Sequence, residues 1–307
     1  MKILVTPRSF GKTDPYAFEI LRNAGFDIVV NDSGGILDRD ALREKLADCD
    51  GVILGVDPLD ASVLAGAPKL KVIAKYGVGI DNIDMAECER RGIKVSRTVG
   101  ANSDAVADYA FSLMMALARQ VVHIDSRCRK KDWSKITTLD VYGKTLGLLG
   151  TGAIGKGVAA RAKGFNMRVI AHDVFWNDEW AKQHGIEKVS PEQIYREADF
   201  ISLHLPLTDE TRNMIGKNEL DMMKKTAVLV NTARGGIINE DDLLAALKNK
   251  RIYGAGIDAF MEEPPANPDW YGLDNLVMGS HASASTIGAT ENMGRMAAKN
   301  LIHDLGN

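Results

Sequence analysis

Long apolar runs are scarce in this 307-residue sequence. The longest, "AFSLMMALA" at 110–118, falls well short of the roughly 20 residues that a helix needs to span a bilayer. No membrane helix is therefore expected. Cysteine is scarce as well. Cys49, Cys88 and Cys128 are odd in number and lack metal-ligand spacing. They exclude a disulfide framework, imply no metal, and fit free thiols in a reducing cytoplasm. A charge excess is also missing. The formal net charge is -3, with both signs interspersed, which argues against nucleic acid or an anionic membrane as partner. The basic runs "RCRKK" at 127–131 and "KNKR" at 248–251 read as solvated helix faces or turns. The opening "MKILVTPRSF" is one β-like run meeting a proline, so no secretory leader is expected.

What is present is ordinary globular composition, 45% hydrophobic and 26% charged. At roughly 100–200 residues per domain, the length predicts about two domains. Short apolar strands alternate with helical segments throughout. "KILVT", "DIVVN", "GVILG", "LKVIAKYG" and "GIKVSRT" form a first series; "KTLGLLG", "MRVIAHD", "FISLHLP", "AVLVNTA", "YGAGIDA" and "NLVMGSH" form a second. Such alternation predicts βαβ units and doubly wound parallel sheets, in two Rossmann-like or flavodoxin-like α/β domains. Between the two series lies a long helical pattern beginning near Asn102 and Ser103. Its centre is apolar nearly all round, which predicts burial between domains or against a second subunit. The closing "SASTIGATENMGRMAAKNLIHDLGN" reads as a helix that could return to the first series.

"KTLGLLGTGAIGKGVAARAKGF" carries the strongest local signal. Gly150, Gly152 and Gly155 spell G-x-G-x-x-G between a strand and a helix. The first glycine makes the tight turn, the second lets the backbone approach a pyrophosphate, and the third lets helix and strand pack closely. Asp173 ends the next strand, 18 residues after Gly155. A carboxylate there accepts ribose hydroxyls and repels a 2′-phosphate, so NAD is favoured over NADP.

Three polar residues follow strands of the second series: Arg234, Glu263 and His281. Ligands bind at the carboxyl ends of the strands in open parallel sheets. Histidine suits a proton that moves near neutral pH. A neighbouring carboxylate favours its imidazolium and fixes its orientation. Arginine can grip a carboxylate with two parallel hydrogen bonds. Taken singly, each also reads as an ordinary loop or ion-pair residue. His204, in "SLHLPL", reads as structural or cofactor-lining.

Seven segments together resemble the D-isomer-specific 2-hydroxyacid dehydrogenases: "KYGVGIDNID", "GANSDAVADYA", "GKTLGLLGTGAIG", "LHLPLTDETRNMI", "VNTARGGIINEDDLLAAL", "GAGIDAFMEEPP" and "SHASAST". The resemblance is closest to short D-3-phosphoglycerate dehydrogenase-like members. It implies a catalytic set of Arg234, Glu263 and His281, with His281 as acid/base, Glu263 as its partner and Arg234 on the substrate carboxylate and keto oxygen. It implies further cofactor contacts at Val78, Ala153, Ile154, Leu205, Thr232, Arg234, Asp258, His281 and Ala284, with Asp258 meeting the nicotinamide carboxamide. The substrate carboxylate would also meet backbone N–H groups of Tyr76, Gly77, Val78 and Gly79. The implied fold is a discontinuous substrate domain, 1–98 plus 286–307, and an NAD-binding domain, 99–285, with the cofactor in the cleft between them. The helix near 102–119 would form a homodimer interface.

The implied activity is NAD-dependent interconversion of a small D-2-hydroxy acid and its 2-keto acid, D-3-phosphoglycerate among the candidates. Glyoxylate, hydroxypyruvate or another 2-keto acid is the alternative, and an NAD(H)-sensing binding protein is the reading from a different class. Some positions depart from the family pattern. Val99 and Gly279-Ser280 stand where proline is common. Asp57 occupies the loop where phosphoglycerate enzymes carry an arginine, which leaves Lys75 as the obvious substrate cation. The chain stops after its last helix, so no serine-binding regulatory domain is expected.

Overall fold

The computed structural model describes residues 1–306. It divides into two compact units, one of Met1–Asn102 with the segment from Ser285 onward, the other Ser103–Ala284. The first division falls at Asn102 rather than at 98. Two hydrogen bonds hold Thr98 beside the turn after the fourth strand of the first sheet: Gly77 N donates to Thr98 Oγ1 and Thr98 N to Gly77 O.

The first unit holds β1 (Lys2–Val5), β2 (Asp27–Val30), β3 (Gly51–Leu54), β4 (Val72–Lys75) and β5 (Lys94–Arg97) in the parallel order β2-β1-β3-β4-β5. Its helices are α1 (Tyr16–Asn23), α2 (Arg39–Leu46), α3 (Ala61–Ala65), α4 (Met85–Arg90) and, from the far end of the chain, α12 (Ile287–Gly306). Every residue of β3 and β4 is buried, as strands covered on both faces must be. Val52 and Leu54 join one apolar layer while Ile53 joins the other with Ala297 and Leu301 of α12. That is the strand period of two at work.

The second unit holds α5 (Ser103–Ala118), α6 (Val121–Arg129), α7 (Ala153–Lys163), α8 (Asp178–His184), α9 (Pro191–Glu197), α10 (Lys217–Met222) and α11 (Glu240–Lys248). They cover a parallel sheet of β6 (Thr145–Leu149), β7 (Arg168–His172), β8 (Glu187–Lys188), β9 (Phe200–Leu203), β10 (Val228–Asn231), β11 (Gly254–Ile257) and β12 (Leu276–Met278). The order is β12-β11-β10-β9-β6-β7-β8. The strand order reverses between β6 and β9, where Leu149 lies opposite Leu203. Ligands bind at the carboxyl ends beside such a switch point.

The long helical pattern after Asn102 is two helices, not one. Gln120 adopts a left-handed backbone with φ 48°, and α5 and α6 diverge by 58°. The Gln120 side chain donates to Tyr253 Oη at 2.8 Å, which holds the break in place. The apolar girth of α5 has a cause within its own unit. Ala107, Phe111, Leu113 and Leu117 pack with Val158 of α7 and with Val228 and Val230 of β10. Solvent reaches mainly Asp104, Asp108 and Ser112, spaced four apart, and the two carboxylates pair with Arg161 of α7. No single helix among the described residues is long and apolar enough to cross a membrane; the bent pair α5–α6 passes only by length and composition.

Candidate active site

Six helices start on capping side chains: Asp38, Asp60, Asp84, Asn177, Ser190 and Asn239 each accept an N–H of the first turn. α7 starts on Gly152, which has no side chain to cap it. Its first N–H groups, at Ala153 and Ile154, are left for an anion. The two flanking glycines are forced by packing. Gly150 has φ 99°, and a Cβ there would overlap the His204 carbonyl. A Cβ on Gly155 would overlap the Gly150 carbonyl. Gly152 meets nothing within 4 Å, so this face of the loop is open.

Asp173 follows β7. Partial burial works against its charge, but the N–H groups of Thr151 and Phe175 and the Thr151 hydroxyl outweigh it, and its pKa lies below the ordinary value. The group is thus an anion facing the glycine turn, with acceptor capacity left for a hydroxyl. His204 follows β9. Burial pushes its pKa down to about 3, so the ring is neutral at physiological pH. Its Nε2 is 2.9 Å from Ser202 Oγ, and its Nδ1 is buried without a partner. Thr232 Oγ1, after β10, is a second such orphan. Buried polar atoms without partners are uncommon, and each costs about 1–3 kcal/mol. Both lie at the strand ends where the open loop sits. This donor and acceptor set fits a dinucleotide: pyrophosphate on the α7 N-terminus, ribose hydroxyls on Asp173, and polar groups along Leu205 and Thr232.

The next three strands end level with one another: Asn231 pairs with Ile257 and Ile257 with Met278. Arg234, Glu263 and His281 therefore emerge at one edge of the sheet. Asn231 shapes the first exit. Its Nδ2 donates to Arg234 O at 2.8 Å and its Oδ1 accepts from Ala233 N at 3.0 Å. Gly235 comes next, and its role is close approach. A Cβ there would overlap the Phe260 carbonyl and Met261 N, so the arginine turn lies flat against the loop carrying Glu263. Glu240, at the start of α11, pins that loop by accepting from Met261 N at 2.7 Å. Glu263 Oε1 accepts from Phe260 N at 3.1 Å and lies 2.9 Å from His281 Nδ1, with Oε2 at 3.1 Å. A carboxylate spanning one ring nitrogen fixes the imidazole and leaves Nε2 for exchange with a substrate oxygen. Sequence reading missed Asn231, Gly235 and Glu240.

The remaining sequence candidates lie in the first unit. Val78 is exposed in the turn after β4. Tyr76 N donates to Leu54 O and Gly77 N to Thr98 Oγ1. Two of the four N–H groups assigned to the substrate are therefore spent within the protein, leaving Val78 and Gly79. Lys75 also departs from expectation. It is only 5% exposed, and its ammonium donates to Gly55 O and, at 2.7 Å, to Asn82 Oδ1. It braces the turn from below. Asp57 faces inward too, 2% exposed, accepting from the Thr6 hydroxyl and from Leu37 N. The outward residue of that loop is Val56, 65% exposed.

This arrangement has relatives. The model of the NAD binding domain of D-isomer specific 2-hydroxyacid dehydrogenases matches residues 111–283. A glyoxylate reductase of Korarchaeum cryptofilum is 44% identical over 267 residues, 84% of this chain and 80% of its own. One from Thermococcus litoralis is 43% identical over 274 residues, 86% of this chain and 83% of its own. Among solved structures, a D-lactate dehydrogenase of Aquifex aeolicus, complexed with NAD and lactic acid, aligns with TM-score 0.83 at 28% identity over 97% of this chain and 93% of that one. The apo D-lactate dehydrogenase of Escherichia coli aligns with TM-score 0.86 at 30% identity over 98% and 96%. A chain with this glycine loop, this fold and this breadth of similarity belongs to the D-isomer specific 2-hydroxyacid dehydrogenase family and is an NAD-dependent oxidoreductase.

Proposed function

We propose that the enzyme reduces glyoxylate or a similarly small, unphosphorylated 2-keto acid. The observation that carries this reading is Val56. The loop after β3 presents an aliphatic side chain outward, while Asp57 and the nearby Lys75 are turned inward and Asp60 caps α3. A phosphate at that loop would find no cation supplied by the loop itself and would forfeit hydration against Val56. The curated relatives quoted above carry the name glyoxylate reductase, which favours the same class over phosphoglycerate. Bound NADH supplies the hydride. Arg234 holds the substrate carboxylate and polarises its keto oxygen. His281 delivers the proton from Nε2 to that oxygen, and Glu263 keeps the ring oriented and stabilises its charged form.

Oxidation of NADH should be compared with glyoxylate, hydroxypyruvate, pyruvate and 3-phosphohydroxypyruvate. The first two are expected to exceed the phosphorylated acid in kcat/KM by about tenfold or more, the weight of a lost charge contact of about 1.4 kcal/mol. Preference for 3-phosphohydroxypyruvate would overturn the assignment.

The proposal extends to a homodimer formed in the reducing cytoplasm, with the contact moved off α5. Val121, Val122 and Ile124 on α6, and Trp133 and Tyr142 beyond it, are exposed, Trp133 to 81%. Exposed large apolar side chains on one helix and the segment after it are the kind that mark interaction surfaces. Sedimentation should show a dimer that the Val122→Glu/Trp133→Glu double variant converts to monomer. A parent protein that sediments as a monomer at micromolar concentration would end this idea.

A further inference from the structure

Arg234 and Glu263 stand on separate loops, and a second acid joins the two. The chain from Arg234 to α11 is held throughout. Ile237 and Ile238 are buried, Ile238 pairs with Ile215, Asn239 N donates to Ile215 O, and the Asn239 side chain caps α11. Glu240 is the first residue of that helix, so its place is fixed relative to the arginine turn. Its carboxylate reaches across to accept from Met261 N at 2.7 Å. On the facing loop, Phe260 is buried and meets Trp270 edge-on at 5.6 Å. Met261, Glu262, Glu263 and Pro264 are exposed. Glu240 thus takes hold where the anchored part of the loop ends and the exposed part carrying Glu263 begins.

A glutamate is not the easiest residue to keep there. Burial raises its pKa, and Asp241 and Glu263 add to the rise, against the Met261 N–H. A neutral side chain would accept one N–H without meeting that resistance. The anion is favoured by its place in the first turn of α11. The charged groups acting on it are Asp241 of the same helix and Glu263 of the facing loop. Asn231, Phe260 and Trp270, which line the same hollow, are neutral. Of the two acids, Glu263 is the one bonded to His281.

We infer that Glu240 is a positioning residue for the proton donor that acts through Glu263: its carboxylate clamps the Glu263 loop to the arginine turn, and its negative charge near Glu263 favours the protonated imidazole. Two neighbouring carboxylates hold a proton on the ring more firmly than one. Reduction of a keto acid needs that proton, so the added charge extends reduction to higher pH. Removing the charge favours loss of the proton, and the alkaline limb of the pH profile then moves to lower pH. That limb belongs to the coupled set of Glu240, Glu263 and His281 rather than to one group. This role rests on His281 as the proton donor, a reading whose own failure shows separately, as an unchanged kcat in His281→Asn.

Glu240→Gln, Glu240→Ala and Asp241→Asn are compared in the full chain, with the 2-keto acid that proves best in the screen above. NADH binding is read by fluorescence titration. Glutamine keeps an oxygen for Met261 N and removes the charge. It is expected to move the alkaline limb of kcat/KM down by about half a pH unit or more. Alanine removes the bond as well. It should show the same displacement and also lose roughly tenfold or more in kcat at the low-pH plateau, where glutamine loses clearly less, with NADH Kd within about twofold of the parent. Asp241→Asn removes an equal charge that is exposed and should move the limb less than Glu240→Gln does. Four results would overturn the inference: a limb unmoved in Glu240→Gln, an equal displacement in Asp241→Asn, a plateau kcat in Glu240→Ala equal to the parent's, or an NADH Kd weakened as much as kcat falls. Should the alanine variant fail to fold, Glu240→Gln, which retains the bond, and Asp241→Asn still decide.

Discussion

Replacing His281 by asparagine is expected to lower kcat by roughly 10²–10⁴-fold, the usual weight of a positioned general acid. NADH affinity should stay within about a factor of two, because the lost contact acts only when the keto oxygen takes its proton. At about 1.4 kcal/mol per tenfold, the loss corresponds to about 3–5 kcal/mol of barrier. Asparagine is the right substitute because of the backbone. His281 sits at φ 55°, and asparagine tolerates the left-handed region better than alanine does. Alanine would add strain to the turn and blur the loss of a proton donor with the loss of a conformation. With asparagine the bonds of Ala282 N and Ser283 N to Asp258 can remain, and what disappears is a group able to shuttle a proton. Stopped-flow reduction of glyoxylate measures this directly. A kcat within threefold of the parent would remove His281 from the mechanism and return attention to an NAD(H)-sensing role.

The parts of this molecule that local pattern could reveal are those that local pattern builds. The run Val228–Asn231 is apolar because β10 is covered on both faces, with Val228 and Val230 against one layer and Leu229 against the other. Gly150, Gly152 and Gly155 are legible because a tight turn, an open face and a close packing recur at fixed offsets. Arg234, Glu263 and His281 stand out because strand ends are where a parallel sheet exposes polar groups. What the sequence hid was direction. Lys75 is the last residue of β4, and Asp57 lies three past β3. Whether each faces a ligand or the interior depends on Asn82, Thr6 and Leu37, which are remote in sequence or in a different loop. Likewise, α5 reads as an interface helix because its apolar girth is visible in one segment, whereas the partners that cover it, α7 (Ala153–Lys163) and β10 (Val228–Asn231), come well after it in the chain. The break at Gln120 was hidden because a left-handed residue that is not glycine or asparagine leaves no compositional mark.

Gly235→Ala is expected to damage turnover more than its distance from any reacting atom suggests. The added methyl would overlap the Phe260 carbonyl and Met261 N, two backbone atoms with no rotamer to escape into. One of the two loops must move. The Glu263 loop is held by Met261 N on Glu240 and Phe260 N on Glu263 itself, while the arginine turn is held by both ends of the Asn231 amide. Either displacement separates Arg234 from the level at which Glu263 holds His281. Overpacking of this kind costs about 1–3 kcal/mol in stability, which calorimetry would show as a lowered Tm. Because a misplacement of about 1 Å can cost on the order of 10²-fold in rate, kcat should fall by roughly 10–10²-fold at a temperature where the variant is still fully folded. The loops proposed to hold NADH, at Gly150–Gly155 and Asp173, are different ones, so NADH Kd should hold. Gly236→Ala is the control. It carries a comparable methyl at φ 82°, but its nearest neighbours are side-chain atoms of Leu207 and Met261 beyond 3.5 Å. It should lower Tm through backbone strain with a much smaller loss of kcat. If the two variants lost kcat equally, glycine would be needed at 235 only for the turn, and the close approach of the Arg234 and Glu263 loops would have no part in catalysis.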